Sequence, residues 1–289
     1  MKLLKRIAFV LLTLIIWTAF IAYGFIDGFL LRPITSKKTP EAFIAAAQIK
    51  IDDSSTGNLA MVLIEGGQAA KYFFHSIGQS VDQATAFPVA SISKWVTAFG
   101  VMKMVEQDKV DLDKPIDDYL TRWQLPDSEF DNRKVTVRRL LSHSAGLVDD
   151  LGYAGFGPGE KMQTLEESLT KAADAPYSEG AARVGFEPGS RYQYSGAAYT
   201  ILQLLIEEVS GQAFQEYMDQ TVFTPLGMEH STFEVADQSK LGLADIYKDD
   251  GTTRPSKKFT ALAAAGLFTS VGDLSQFMIA QVTPNNVLD

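Results

Sequence analysis

Ser91, Ile92, Ser93 and Lys94 form an S-x-x-K sequence. A serine hydroxyl is a weak nucleophile until a neighbouring base takes its proton, and a lysine held between apolar walls is able to take it. After Ser91 the apolar residues Trp95, Val96, Phe99, Met102 and Val105 recur at steps of three and four, the rhythm of a buried helix. Before it, Phe87-Pro88-Val89-Ala90 reads as extended chain. Ser91 therefore stands at a helix start, at the positive end of the dipole, with Lys94 three residues on over the same face. Trp95 and Phe99 are the expected walls around Lys94. The plainer reading of Ser91 is an N-cap. About one S-x-x-K match is expected by chance in such a chain. A second, Ser168 to Lys171, lies in a polar helical stretch at 165–175 and reads as a solvated face.

Tyr194 is the next candidate. The sequence FEPGSRYQYSG at 186–196 leads straight into an apolar helix beginning at Ala197, which puts Tyr194 on a turn at a helix start. A phenol beside a cation serves as general acid or base, and Lys94 would supply that cation. The plainer reading is a buried aromatic with one satisfied hydroxyl. His143 beside Ser144 suggests a Ser-His pair, but neighbours on one helix point apart, so His143 reads as structural. Arg133, Lys134, Arg138 and Arg139 read as a solvated basic face, and the glycines of 155–159 as a loop.

Other segments must position these groups. The runs 58–64 and 69–75 are β-prone and joined across Gly66-Gly67, the pattern of a hairpin. An amphipathic helix is expected over 41–49, ending in an acidic turn at Asp52-Asp53. From 108 to 193 prolines and glycines break the chain into short helical pieces, a helical insert. Helices follow at 197–209, closed by Gly211, and at 272–281. The expected organisation is a membrane anchor and linker over 1–38 and one domain over 39–289. Within that domain, 39–107 and 255–289 form a sheet-and-helix part and 108–254 a mainly helical part.

Composition removes several alternatives. The 289 residues contain 46% hydrophobic and 21% charged residues, an ordinary globular balance. The net charge of −9 repels a phosphate backbone, so no nucleic-acid partner is expected. With no cysteine and three histidines that form no H-x-x-x-H pair, neither thiolate chemistry nor a bound metal is expected. Lys2, Lys5 and Arg6 precede an uncharged stretch between Ile7 and Ile26, about the ~20 residues that cross a bilayer as helix. A cleaved signal peptide competes, but its apolar core is usually ~7–15 residues. The expectation is an uncleaved anchor with the N-terminus inside and the catalytic part periplasmic or extracellular.

Five blocks carry a resemblance: FPVASISK (87–94), LLSHSAGL (140–147), EPGSRYQYSG (187–196), PLGM (225–228) and AAGLFTSVGDL (264–274). In order and spacing they resemble the serine β-lactamase-like superfamily, in the branch of class C β-lactamases, D-alanyl-D-alanine carboxypeptidases, D-aminopeptidases and related esterases. The resemblance implies an α+β fold: an antiparallel sheet flanked by helices, with an inserted helical domain and the site at their junction. It implies Ser91 as acylated nucleophile, Lys94 as its activating partner and Tyr194 as proton relay to the leaving group. Ser195 and Gly196 would line the substrate, and no cofactor is implied.

Two departures from the pattern matter. The tyrosine motif of the family usually ends in Asn, whose amide holds the lysine and a substrate carbonyl, whereas this chain has Gly196. Losing such a contact costs ~1–3 kcal/mol, more harmful for amide-bearing substrates than for simple esters. The K-T-G or H-x-G strand of the family has no counterpart: His230-Ser231-Thr232 lacks the glycine and Lys240-Leu241-Gly242 comes too early. The sequence stops at Asp289 before the strands that carry this motif, so the expectation is an incomplete copy of the domain with feeble activity. The expected function is a membrane-anchored serine hydrolase of small-molecule or peptidoglycan-like esters, amides or β-lactams. The alternative is a catalytically impaired module that binds cell-wall or peptide ligands.

Overall fold

The structure, a computed structural model, describes residues 2–26, 33–37, 39–149, 153–175, 181–233 and 242–283. The chain divides into two compact units, 1–55 and 56–289.

The first unit is helical. α1 (Lys2–Ile26) has a window of mean hydropathy 2.3 between Lys5 and Ile26, long and apolar enough to cross a membrane. Its threonines do not break the apolar surface, because Thr13 and Thr18 donate back to the carbonyls of Phe9 and Leu14. α2 (Pro40–Ser54) opens with Pro40 at its first position and the Thr39 hydroxyl capping Ala42 N–H. It runs through Asp52 and Asp53, where the sequence suggested a turn. Nothing there stops a helix: no glycine or proline occurs between Pro40 and Gly57.

The second unit begins with the expected hairpin. β1 (Leu59–Glu65) and β2 (Gln68–His75) pair antiparallel from Leu59 opposite His75 to Glu65 opposite Gln68. Gly66 and Gly67 both have positive φ, +58° and +76°, which a tight two-residue turn of this hand requires. β3 (Ala86–Pro88) leads into α3 (Ile92–Glu106). Then come two 3₁₀ turns, α4 (Val137–Leu141), β4 (Leu147–Val148), α5 (Leu165–Thr170) and β5 (Arg183–Val184). This is the insert of short pieces, with one feature the sequence hid: β4 and β5 pair antiparallel. Two-residue strands carry too little periodicity to be read. Gly146, at φ +77°, makes the pairing possible, its carbonyl accepting the amides of Gly185 and Phe186.

α6 (Gly196–Ser210) is buried on every side through Ile206 and forms the centre of the core, with Ile201, Leu202, Leu204 and Leu205 fully buried. Gly211 ends it in the left-handed conformation at φ +72°. α7 (Phe214–Met218), a π-helical turn and α8 (Thr224–Leu226) follow, then β6 (Ile246–Tyr247) and β7 (Thr253–Arg254), which pair with each other. α9 (Leu262–Ala265), β8 (Phe268–Ser270) and α10 (Val271–Val282) close the described chain. β8 pairs antiparallel with β3, Phe87 opposite Thr269, so the segment before Ser91 is fixed to the AAGLFTS block. α6 and α3 both pack on α9, which brings the three blocks together.

Candidate active site

Ser91 sits at the mouth of α3. Ala90 before it is held at φ +46°, a left-handed conformation costing a non-glycine residue about 1 kcal/mol. Ser93 secures this turn: its buried hydroxyl donates to Ala90 O and accepts Leu267 N–H at 3.0 Å. Ser91 occupies the N-cap position, but its hydroxyl caps nothing and is exposed. The plain N-cap reading is thereby removed, and the hydroxyl is free for chemistry.

Lys94 is 7% exposed, and its Nζ lies 3.3 Å from Ser91 Oγ. The same Nζ donates to the Ala264 carbonyl at 2.6 Å, a contact that ties the lysine to α9. It lies 5.0 Å from the centre of the Tyr194 ring and 5.8 Å from that of Tyr199. These tyrosines, not the expected Trp95 and Phe99, are its aromatic walls. Trp95 and Phe99 are four residues apart on another stripe of α3 and both pack edge-on against Phe277 of α10, at 4.9 and 5.5 Å.

Tyr194 directly precedes the N-cap of α6. Ser195 is the N-cap of that helix, its hydroxyl accepting Ala198 N–H at 2.9 Å and donating to Asp149 Oδ2 at 3.1 Å. The same carboxylate oxygen accepts Ala197 N–H at 2.5 Å, a negative group on the positive helix end. Ser195 is therefore buried in a cap, and its hydroxyl is turned to the helix. Gly196 packs against Tyr153: a Cβ at 196 would lie 2.9 Å from Tyr153 Cε2. The Tyr153 hydroxyl is 2.9 Å from Thr200 Oγ1, and burial raises its pKa above the ordinary phenol value.

His143 departs from the expected helical placement. α4 ends at Leu141, and His143 beyond it has φ +54° with its ring 4.5 Å from that of Tyr194. It makes no pair with Ser144, whose hydroxyl is 2.8 Å from that of Ser142. Burial first, and the charge of Lys94 second, push the His143 pKa down to about 4. Tyr199 donates to Leu141 O, and its pKa is pushed up to about 12, chiefly by burial.

The remaining candidates fall away from this cluster. Ser168 is buried rather than solvated, because α5 turns Ser168 and Leu169 to the interior, while Lys171 is exposed. Arg133, Lys134 and Arg138 pair with Asp118, Glu187 and Asp113, so the basic face is locally neutralised. Ser231 donates to Asp273 Oδ2 at 2.6 Å, which makes the His230-Ser231-Thr232 run a clasp on the first turn of α10. Lys240 and Leu241 lie outside the described residues. Among the described residues no cluster of His, Asp or Glu is arranged to hold a metal. A cavity of about 620 Å³ lined by Gln163, Glu216, Phe233 and Phe259 contains none of Ser91, Lys94 and Tyr194. Sequence reasoning missed Ser93, Asp149 and Tyr199. The LLSHSAGL block points to Asp149 only by ending two residues before it.

Mixed helices and small open sheets, with a serine, a lysine and a tyrosine converging between α3, α6 and α9, define the penicillin-binding protein and β-lactamase class of fold. The sequence matches the Beta-lactamase family over residues 46–288, and the chain belongs to that family. It is similar to esterase EstB of Burkholderia gladioli, 29% identical over 57% of this chain and 43% of the relative. Penicillin-binding protein 4* of Bacillus subtilis strain 168 is 28% identical over 60% of this chain and 37% of its own length. Among solved structures, the octameric penicillin-binding protein homologue from Pyrococcus abyssi superposes with a TM-score of 0.68 at 26% identity, over 86% of this chain and 57% of that one. The chain thus spans about two fifths of the length of these curated relatives.

Proposed function

We propose that this chain is a membrane-anchored serine hydrolase that forms an acyl-enzyme at Ser91. The observation that carries this reading is the position of Lys94, buried, 3.3 Å from Ser91 Oγ and 5.0 Å from the Tyr194 ring. In the proposed step Ser91 Oγ attacks the acyl carbonyl while its proton passes to Lys94. The phenol of Tyr194 then protonates the leaving group and regains a proton from Lys94. Water hydrolyses the acyl ester by the reverse route and frees Ser91. No cofactor takes part.

Gly196 brings no side-chain amide, and the Tyr153 ring fills the space beside it. That favours simple esters over amide-bearing substrates such as penicillins or peptidoglycan stems, whose side-chain amide carbonyl would go unpaired. The same feature supports a second reading, a module that binds cell-wall or peptide ligands without turnover. Hydrolysis of a p-nitrophenyl ester separates the two. Turnover well above a Ser91→Ala control supports the hydrolase. Saturable binding of peptidoglycan fragments with no turnover supports the module.

α1 supports a membrane location, with N-terminus inside and the catalytic part outside the cytoplasm. A reporter active only outside the cytoplasm, fused at the C-terminus, should work and should fail when residues 7–26 are removed. Activity of a cytoplasm-only reporter at the same place reverses the orientation.

A further inference from the structure

His143 accepts hydrogen bonds from the amides on both sides of Tyr194. Its backbone carbonyl takes Gln193 N–H at 2.7 Å, and its imidazole Nδ1 takes Ser195 N–H at 3.2 Å. Between these anchors its ring lies 4.5 Å from the Tyr194 ring, tilted by 36°, with Tyr192 and Tyr199 on its other sides at 5.8 and 5.3 Å. The residue holds this position in a left-handed conformation that favours glycine or asparagine, at φ +54°. A ring kept at such a backbone position in place of glycine has its use in what the side chain does.

We infer that His143 is the positioning residue of the tyrosine turn, fixing Tyr194 against Lys94 by holding the backbone N–H groups of its two neighbours, Gln193 and Ser195. The inference rests on Tyr194 acting as the proton relay. It requires a neutral imidazole with the proton on Nε2, because Nδ1 must keep its lone pair to accept Ser195 N–H. The surroundings hold that form. Burial opposes its protonation first, and Lys94 of α3 adds to this whenever it carries a proton; Tyr192 and Tyr194 of the turn and Tyr199 of α6 present phenol rings. Asp149 reaches the turn from the other side, through Ser195 Oγ.

The test uses the full chain with a p-nitrophenyl ester, and the variants His143→Ala, His143→Asn, Tyr194→Phe and His143→Ala/Tyr194→Phe. Asparagine tolerates the left-handed backbone and places Oδ1 where Nδ1 lies, so it keeps the acceptor. Displacing a catalytic group by about 1 Å costs up to ~100-fold. His143→Ala should therefore lower kcat ~10–100-fold with little change in KM, and His143→Asn should recover most of that loss. The double variant should lose no more than Tyr194→Phe alone, because a positioning residue has nothing left to position. Losses that multiply in the double variant, or a folded His143→Asn as impaired as His143→Ala, overturn the inference. If the wild type shows no Ser91-dependent turnover, it is the functional reading that fails. ¹⁵N spectra of the imidazole then still decide the clamp: an unprotonated Nδ1 and protonated Nε2 at pH 6 support it, and the Nδ1–H tautomer or an imidazolium overturns it.

Discussion

Replacing Gly196 by asparagine would restore the residue usual at the end of this motif, and the structure says the protein should be destabilised by it. A Cβ at 196 would lie 2.9 Å from Tyr153 Cε2 and 3.6 Å from Asp149 Oδ2. The ring cannot yield freely, because its hydroxyl is engaged with Thr200 Oγ1 at 2.9 Å. Overpacking of this kind costs ~1–3 kcal/mol. Breaking the buried tyrosine–threonine hydrogen bond adds about 1 kcal/mol. Asparagine is only slightly better than glycine in a helix, which returns ~0.3 kcal/mol. The net expectation is a loss of ~2–4 kcal/mol, read by urea denaturation at constant m-value. In a Tyr153→Ala background the same substitution should be neutral or stabilising, and the difference between backgrounds is the coupling of the two sites. A Gly196→Asn variant as stable as the parent, or an equal loss in both backgrounds, would refute the claim that Tyr153 occupies the place of the missing side chain.

Gly146→Ala should be among the most damaging single-methyl changes, costing at least ~3 kcal/mol by thermal or urea unfolding, since φ is +77° and the new Cβ would overlap the backbone carbonyl oxygen of Phe186. The pKa of His143, about 4 in the folded state against 6.5 ordinarily, means that the unfolded chain binds the extra proton between those values. Its stabilising contribution is present above pH 6.5 and is lost as pH falls toward 4. The full shift corresponds to ~3 kcal/mol, which partial solvent access reduces to ~1–2 kcal/mol. Stability of the wild type should accordingly fall more steeply than that of His143→Asn across this window, and parallel curves would contradict it. Asp273→Ala should cost ~2–4 kcal/mol, because Ser231 Oγ–H and His230 N–H both donate to that carboxylate in the interior. Deleting residues 2–26 should move the protein from the membrane fraction to the soluble one, with continued sedimentation as the opposing result.

The elements with strong local signals were legible in sequence. The hairpin announced itself by two glycines between β-prone runs, α3 and α6 by their apolar spacing, and the end of α6 by Gly211. Ser91, Lys94 and Tyr194, the residues proposed for catalysis, stand out in sequence because each lies beside such an element. What surrounds them was not legible, for a physical reason: the partners come from far along the chain. Lys94 meets the Ala264 carbonyl across 170 residues, and Ser195 meets Asp149 across 46. A periodicity argument placed Trp95 and Phe99 around Lys94 because they are apolar and near in sequence. Their stripe of the helix instead faces Phe277. His143 was read as an ordinary helical residue because left-handed backbone at a histidine leaves no mark in composition. Ser168 looked solvated because its neighbours are polar, yet the short α5 turns it inward.

The central claim is that Ser91 becomes acylated, and the site of covalent attachment tests it most directly. The full chain is incubated with a fluorescent penicillin or an activated ester, quenched in acid, digested with trypsin and examined by mass spectrometry. The digestion releases residues 72–94 as one peptide between Lys71 and Lys94. The account predicts a single acyl group on Ser91 within that peptide, and none on the Ser91→Ala protein. An adduct on any other residue, or equal labelling of Ser91→Ala, would contradict it.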